Sequence, residues 1–335
     1  MLSANGSDGK QYISGAVPNP KSRTYTCPHP KCGLPVSHVI EHTRSLQHMV
    51  TEHFRHPADA SHPVKQNDWQ CSNIAHALKD AFDGLNCYEL SFDKFYTDSR
   101  GQEHYAEMSI KDKIVDKEAV VRIETGAFKA KEFDDMLRHL SSQGLFTMLL
   151  LSAHGYSNPN GQYFRDYSNP RHEDRAGLKK ISGNELAMYK KLRELLYYDH
   201  DKFEFASARF RNFVADEKYD HRTGEWVAGE TEYETIKVPK IISSSRKFIP
   251  VFTRFGEGPA AKRTVGIYPI DDSKVPVLNK MYELKQAIDA KDANKVVEHG
   301  ESLGIMLEKA DDNDILAKRL AKLMDKAWNE VPDIR

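Results

Sequence analysis

The sequence predicts an α/β protein in which a mixed β-sheet is flanked by helices. Three observations indicate this fold class: a helical pattern over residues 72–83, three short apolar segments with turn-like connectors, and an amphipathic helix leading into a continuous apolar strand. Because a helix precedes the last strand, that strand can lie parallel to the third one. The order helix, three strands, helix, strand therefore predicts one compact core.

The first four elements have clear local signals. Ile74, Leu78 and Phe82 recur at helical spacing, and Gly84 offers a C-terminal stop. Polar, turn-like connectors separate the apolar segments that follow, which favours an antiparallel meander. The three strands are predicted at residues 87–92, 104–110 and 119–124.

The elements after the meander follow from periodicity and composition. Residues 129–143 place apolar side chains on one helical face, and Gly144 ends that helix before the apolar strand 145–152. Residues 152–180 are dense in Gly, Pro, Asn and Ser and are interpreted as an insertion or linker. A helix is predicted next, over residues 185–198.

We expect five regions along the chain. They are a flexible N-terminus (1–23), a Cys/His segment (24–66), the α/β core (67–215), a mixed region of uncertain fold (216–274) and a helical C-terminal region (275–335). The 335 residues are enough for more than one hydrophobic core.

Composition excludes several classes of protein. The formal net charge of -1 gives no global basic excess, so any contact with nucleic acid must come from local patches. No apolar run is long enough for a membrane helix and the first fifteen residues are polar, so we expect a soluble, cytoplasmic protein. Four cysteines are too few for a disulfide framework, which favours reduced thiols or metal ligands.

The Cys/His segment predicts a structural zinc site. Cys27 and Cys32 can form one ligand pair, and His53 with His56 a second, as tetrahedral zinc requires. Seven of the fifteen histidines lie in this segment, so other sets of ligands remain open, as does a segment that holds no metal. The competing histidines are His29, His38, His42 and His48.

Two glutamates on neighbouring predicted strands are candidate ligands of a catalytic metal. Glu107 and Glu124 are seventeen residues apart and can face one edge of the sheet. Paired carboxylates suit Mg²⁺ or Mn²⁺, which would polarise a phosphodiester and activate a bound water. The alternative is that Glu124 pairs with Arg122 or a nearby lysine, because burying a carboxylate is costly without a positive partner.

This order of motifs, over residues 25–215, resembles the CoiA-like competence protein family, in which a zinc ribbon precedes a PD-(D/E)xK nuclease core. The HFRH sequence at 53–56 is similar to the H-F-x-H of that family. The resemblance implies zinc ligation by Cys27, Cys32, His53 and His56. It also implies a restriction-endonuclease-like core, in which Glu107 replaces the family's Asp and Glu124 is the Glu of E-x-K or E-x-Q.

One departure from the family concerns catalysis. Gly126 stands where the family has Lys or Gln, and a glycine can neither orient the attacking water nor stabilise developing charge. Lys129 and Lys131, from the following helix, are the candidate replacements. Without one of them the site would be inactive.

The leading hypothesis is a metal-dependent DNA endonuclease-like protein that acts in DNA uptake, processing or defence. Predicted DNA contacts, some interleaved with aromatic residues, are Lys79, Lys190, Lys191, Arg193, Arg209 and Arg211. An ordinary amphipathic helix with solvated charges is the alternative for residues 188–213. Alternative functions are a degenerate nuclease fold that binds nucleic acid or a partner without cleavage, and a zinc-stabilised protein that contacts a partner through its C-terminal helices.

Overall fold

The structure is a computed structural model. It describes residues 2–15, 17, 24–45, 48–50, 52–57, 69–97, 101, 103–126, 130–152, 178–179, 183–192, 194–200, 203–214, 218–227, 231–243, 247–257, 261–307, 315–331 and 334. Most of the predicted linker between residues 152 and 180 falls outside these ranges.

A small antiparallel sheet forms the N-terminal part of the chain. Its strands are β1 (Ser3–Gly6), β2 (Gln11–Ile13), β3 (Tyr25–Thr26), β4 (Pro35–Val39) and β7 (His53–Arg55), in the spatial order β2-β1-β3-β4-β7. A separate hairpin consists of β5 (His42–Ser45) and β6 (His48–Val50). Tyr25, Val36 and Phe54 pack with Cys27 in a small core of buried side chains.

The beginning of the chain is more ordered than its polar composition predicts. Leu2, Ser3 and Ala4 are fully buried, although residues 1–23 were expected to be flexible. The backbone N–H groups of Leu2 and Ser3 donate to the Asp93 carboxylate at 3.1 and 2.5 Å. A side chain about ninety residues away therefore orders this segment, and local composition contains no sign of such a contact.

The predicted order of the core elements is confirmed. The elements are α1 (Trp69–Phe82), β8 (Tyr88–Thr97), β9 (Glu103–Asp112), β10 (Lys117–Glu124), α2 (Ala130–Ser142) and β11 (Phe146–Ser152). Strands β8, β9 and β10 form an antiparallel meander, and β11 lies parallel to β10 with Glu124 opposite Leu151. The protein is therefore a mixed α/β fold, as predicted.

The large sheet continues beyond β11. The further elements are β12 (Leu178–Lys179), α3 (Gly183–Leu192), β13 (Leu195–Asp199), β14 (Glu204–Val214), β15 (Lys218–Asp220), β16 (Glu225–Val227), β17 (Thr231–Ser243), β18 (Lys247–Phe255) and β19 (Lys262–Ile270). The strand order is β12-β17-β14-β13-β11-β10-β9-β8, and β19 also pairs with β11 while β18 pairs with β19. Strands β15 and β16 form a separate hairpin.

The helix predicted over residues 185–198 is wrong in its second half. The helix α3 ends at Leu192, and residues 195–199 form the strand β13, parallel to β11. All five residues of β13 are buried. A strand that is buried on both faces has a continuous apolar sequence, and periodicity cannot separate such a sequence from a buried helix.

Three C-terminal helices complete the fold: α4 (Val275–Asp289), α5 (Ala293–Leu307) and α6 (Ile315–Glu330). Their apolar faces share one hydrophobic cluster with α1 and the strands β8 to β11. The predicted helical region is thus packed against the core instead of forming a separate one. Among the described residues, no helix has both the length and the apolar character needed to cross a membrane.

Candidate metal centre and carboxylate pair

The loop between β3 and β4 brings two thiols together. The N–H of Cys27 donates to the carbonyl of Leu34 at 2.9 Å, and the N–H of Cys32 donates to the carbonyl of His29 at 3.0 Å. The N–H of His29 donates to the Cys27 sulfur at 3.4 Å, and Gly33 has a φ of +61°, a value that favours glycine. The loop therefore holds both sulfurs at its tip by backbone contacts.

A third ligand comes from the end of β7. One donor atom each from Cys27, Cys32 and His56 lies within 4.8 Å of the other two, and Cys32 Sγ is 3.2 Å from His56 Nε2. Zinc bonds of about 2.0–2.3 Å place tetrahedral ligands at comparable separations. These three residues, the Cys2His group, could therefore hold a metal ion such as zinc.

The tautomer of His56 suits this role. Its Nδ1 is 2.9 Å from the carbonyl oxygen of Pro57, so Nδ1–H donates to that oxygen. The lone pair is then on Nε2, the nitrogen that faces Cys32. A hydrogen bond of this kind orients metal-binding histidines in general.

Burial affects the chemistry of the thiols. Desolvation raises the pKa of Cys27 to about 12, although the hydrogen bond from the His29 amide lowers it. A metal ion must displace this proton, because the thiolate and not the thiol is the ligand. The charge of a bound divalent ion would replace the missing solvation of the thiolate.

The fourth predicted ligand, His53, is not a member of the Cys2His group. Two competing histidines have other contacts: His29 Nε2 is 3.2 Å from Glu103, and His38 Nε2 is 2.8 Å from Glu52. Among the described residues, the group that could hold a metal thus has three members, one fewer than a closed tetrahedral zinc site needs.

The predicted carboxylate pair converges at one end of β9 and β10. Glu107 is fully buried and Glu124 is 7% exposed. The last backbone pair of these strands is Met108 opposite Val121, and beyond it the N–H of Ile123 donates to Glu107 Oε2 at 2.9 Å. The Glu107 carboxylate therefore accepts a backbone hydrogen bond from β10 beyond the last backbone pair of the two strands.

Arg122 is the positive partner of both carboxylates. Its Nε donates to Glu124 Oε1 at 2.6 Å, and its guanidinium is 3.6 Å from Glu107 Oε1. It also donates to the carbonyl of Tyr105 at 2.9 Å. Burial would lower the pKa of Arg122, but the charges of Glu107 and Glu124 raise it above its usual value. The buried glutamate of this strand is thus charge-compensated within its own sheet.

Gly126, the position at which the resemblance would imply a lysine or glutamine, has open space around it. A Cβ placed on Gly126 would meet no atom within 4 Å. Lys129, one of the two predicted replacements, lies outside the described residues. Lys131, the other, is exposed in the first turn of α2.

A polar cluster that we did not predict lies at the same edge of the sheet. The Ser152 hydroxyl donates to Gln70 Oε1 at 2.7 Å and lies 3.1 Å from His200 Nε2. Ser152 ends β11 and His200 follows β13, so both lie at the carboxyl ends of parallel strands. Polar residues directly after apolar runs, as in LLLS and LLYYDH, are the signal that could have identified them.

The predicted DNA contacts are distributed over several elements. Lys79 lines a cavity of about 530 Å³ beside α1, and Lys190 is exposed on α3. Lys191 forms an ion pair with Asp134 at 2.9 Å. Arg193 lies outside the described residues, and so do the side chains of Arg209 and Arg211, whose backbone is in β14.

Comparison with known proteins gave no relatives. No protein family, no curated protein and no solved structure matched this chain.

Proposed function

We propose that this protein is a zinc-stabilised, nuclease-like α/β module that binds nucleic acid without hydrolysing it. The observation that carries the proposal is the position of Arg122, whose guanidinium contacts Glu124 at 2.6 Å and lies 3.6 Å from Glu107. The competence-protein resemblance suggests DNA as the nucleic acid, and the Cys2His group supports the zinc assignment.

Electrostatics favours the ion pair over a metal site. A divalent cation at this position needs carboxylate oxygens that are free to coordinate, together with room for its own water molecules. Arg122 occupies the space between the two carboxylates and neutralises part of their charge. A metal ion would have to displace the guanidinium from both carboxylates and leave Arg122, which is only 20% exposed, without its ion-pair partners.

The absence of a lysine at position 126 supports the same conclusion. Arg122 and Glu124 are two residues apart and therefore share one face of β10. In this chain the positive side chain, Arg122, therefore precedes Glu124 by two residues. In the E-x-K motif of the family, the lysine follows the glutamate by two residues. A guanidinium remains protonated at neutral pH and cannot act as the base that activates water.

A second candidate is the metal-dependent DNA endonuclease. It is favoured by the convergence of Glu107 and Glu124 on one cation, which is the arrangement that a shared Mg²⁺ or Mn²⁺ would also need. In that case the metal would displace Arg122 from the carboxylates.

The test compares cleavage and binding of labelled single-stranded and double-stranded DNA, with and without added Mg²⁺ or Mn²⁺. The proteins are the wild type, Glu124→Ala and the control Glu283→Ala, which lies on the helix α4 and pairs with Lys280 at 3.0 Å. We expect no cleavage by any of them. We also expect binding that is independent of the divalent ion and weakens steeply between about 50 and 200 mM salt.

Two results would overturn the proposal. Cleavage that disappears in Glu124→Ala but not in Glu283→Ala would establish the endonuclease. Absence of salt-dependent DNA binding would remove nucleic acid as the partner and leave the interaction protein, with the C-terminal helices as its contact.

A further inference from the structure

A basic cavity lies at the opposite edge of the sheet from the carboxylate pair. It has a volume of about 540 Å³ and is formed by the β9–β10 turn, the start of β11 and the β18–β19 hairpin. The strand β10 runs eight residues from Lys117, in this cavity, to Glu124. At a rise of about 3.3 Å per residue the two edges are roughly 23 Å apart. We call this cavity the amino-edge pocket.

Four of the described residues that line the amino-edge pocket are cationic. They are Lys111, Lys117, Arg254 and Arg263. The two carboxylates in the lining have partners of their own: Asp116 is 3.1 Å from Lys285, and Glu118 is 2.9 Å from Lys94. The lining therefore carries an excess of positive charge that its own acidic residues do not cancel.

Two of these cations, Lys117 and Arg263, lie over the same aromatic ring. Lys117 Nζ lies 5.2 Å from the ring centre of Phe146 and 5.7 Å from that of Phe252, and the Arg263 guanidinium lies 5.8 Å from Phe146. Burial and then the charges of Lys322 and Arg319 lower the pKa of Lys117. Like charges crowded in this way repel one another, and an anion would relieve that repulsion.

Backbone contacts fix the position of Arg263. Its guanidinium donates to the carbonyl of Gly144 at 2.8 Å, and its backbone N–H donates to the Ser141 hydroxyl oxygen at 3.1 Å. Gly144 has a φ of +84°, and a Cβ there would stand 3.2 Å from the guanidinium. A cation fixed in advance loses less conformational entropy when a ligand binds.

We propose that the amino-edge pocket binds the phosphate group of a nucleotide. The fixed guanidinium of Arg263 and the ammonium of Lys117 supply positive charge and N–H donors that suit phosphate oxygens. Phe252, which is partly exposed, and the neighbouring Val115 and Leu145 provide apolar contact for the base. The volume is within the range of about 300–1,000 Å³ that is typical of small-ligand sites.

Ligand binding in the amino-edge pocket does not depend on whether the carboxylate pair holds a metal ion. The pocket is formed by other residues, at the other end of the strands. The nucleotide can be a free molecule or the end of a nucleic-acid strand, and the two sources share one chemistry. A strand would extend beyond the pocket and add further phosphate contacts, whereas a free nucleotide would not.

The test uses the full-length chain and calorimetric titration with three probes: inorganic phosphate, a nucleoside 5′-monophosphate, and a short single strand with a 5′-phosphate. The test variant is Lys117→Gln combined with Arg254→Gln, both exposed residues of the pocket. The matched control is Lys113→Gln, which lies in the same β9–β10 turn but contacts Glu89 at 3.7 Å and is not part of the pocket lining.

We expect the wild type to bind the nucleotide or the strand, the double variant to bind at least tenfold more weakly, and the control to change less than twofold. Tighter binding of the strand than of the nucleotide would identify a strand end as the ligand, and equal binding would identify the free nucleotide. No binding of any probe, an unchanged double variant, or inorganic phosphate binding as tightly as the nucleotide would each overturn the inference. Cleavage assays on Glu124→Ala test the proposed function separately.

Discussion

Arg319 joins the C-terminal helices to the sheet, and its removal is the sharpest test of how the fold is held together. From α6 the guanidinium donates to Asp112 Oδ2 at 2.8 Å, to the carbonyl of Pro250 at 2.7 Å and to the Tyr88 hydroxyl at 3.2 Å. Arg319 is 8% exposed and Asp112 is fully buried. Arg319→Met keeps most of the side-chain volume and removes only the charge and the donors.

The expected loss follows from what the substitution leaves behind. Breaking a buried ion pair on one side costs about 3–5 kcal/mol, because the remaining charge is uncompensated. We therefore expect the free energy of unfolding to fall by about 4 kcal/mol at pH 7. With an unfolding entropy of about 2.1 cal/mol/K per residue, 335 residues correspond to about 0.7 kcal/mol/K. The melting temperature should fall by roughly 6 °C.

The loss of stability in Arg319→Met should be smaller at low pH than at neutral pH. Burial raises the pKa of Asp112 above its ordinary value of 3.8, while Arg319 lowers it. Without Arg319 this pKa rises further, so the folded state binds the proton more tightly than the unfolded state does. Stability then falls as pH rises above the unfolded pKa, until the folded pKa is passed. The variant should therefore be closer to the wild type at pH 4 than at pH 7.

Calorimetric or circular-dichroism melting of both proteins at pH 4 and pH 7 measures this difference. The control is Lys326→Met on the same helix, whose pairs with Asp289 and Glu330 lie at 3.0 and 3.7 Å and are partly exposed. Such a surface pair contributes about 0–1 kcal/mol. A melting temperature for Arg319→Met within 2 °C of the control at pH 7, or a larger deficit at pH 4 than at pH 7, would refute the reasoning.

Three further predictions concern the metal group, the first strand and the pocket. Cys27→Ser should abolish stoichiometric zinc in elemental analysis while Cys71→Ser retains it, and equal zinc in both would contradict the Cys2His group. Asp93→Ala should lower the free energy of unfolding by about 2–3 kcal/mol, because the backbone N–H groups of Leu2 and Ser3 lose their acceptor. It should also remove hydrogen-exchange protection from the amides of residues 2–6. Protection that persists would show that contacts other than Asp93 hold β1 in place. Gly144→Ala should cost about 1–2 kcal/mol in urea denaturation, because its φ is +84°; an unchanged midpoint would contradict this.

The order of the core elements was predictable because each has a local signal. Ile74, Leu78 and Phe82 lie on the buried face of α1, and the turn sequences separate β8, β9 and β10 where expected. The β13 strand was not predictable, because its residues are apolar on both faces and only the pairing with β11 distinguishes a strand from a helix there.

The N-terminal strand shows a second limit of local reasoning. Residues 2–6 contain little apolar surface, and the decisive acceptor, Asp93, is about ninety residues away. The same holds for the C-terminal helices, whose amphipathic pattern predicts a buried face but not the surface that covers it. Contacts over such separations are decided by packing and have no counterpart in the local sequence.

The geometry of the carboxylate pair depends both on the local sequence pattern and on the pairing of distant strands. That Arg122 and Glu124 share a face follows from the period of a strand, and the sequence therefore presents this pairing as an alternative to a metal site. Which residue faces Glu107 depends on the register of β9 and β10: Met108 opposite Val121 sets Arg122 opposite Glu107. A slip of one residue would turn the arginine to the other side of the sheet.

That register begins at the other end of the two strands, in the turn that Asp112 closes. Asp112 Oδ1 accepts the N–H groups of Ile114 and Val115 at 3.0 and 3.3 Å, while Oδ2 accepts Arg319. The turn length decides both the placement of Lys117 in the amino-edge pocket and the pairing of Arg122 with Glu107. Substitutions at Arg319 should therefore disturb both the amino-edge pocket and the carboxylate pair, although Arg319 contacts these strands at the amino end, through Asp112.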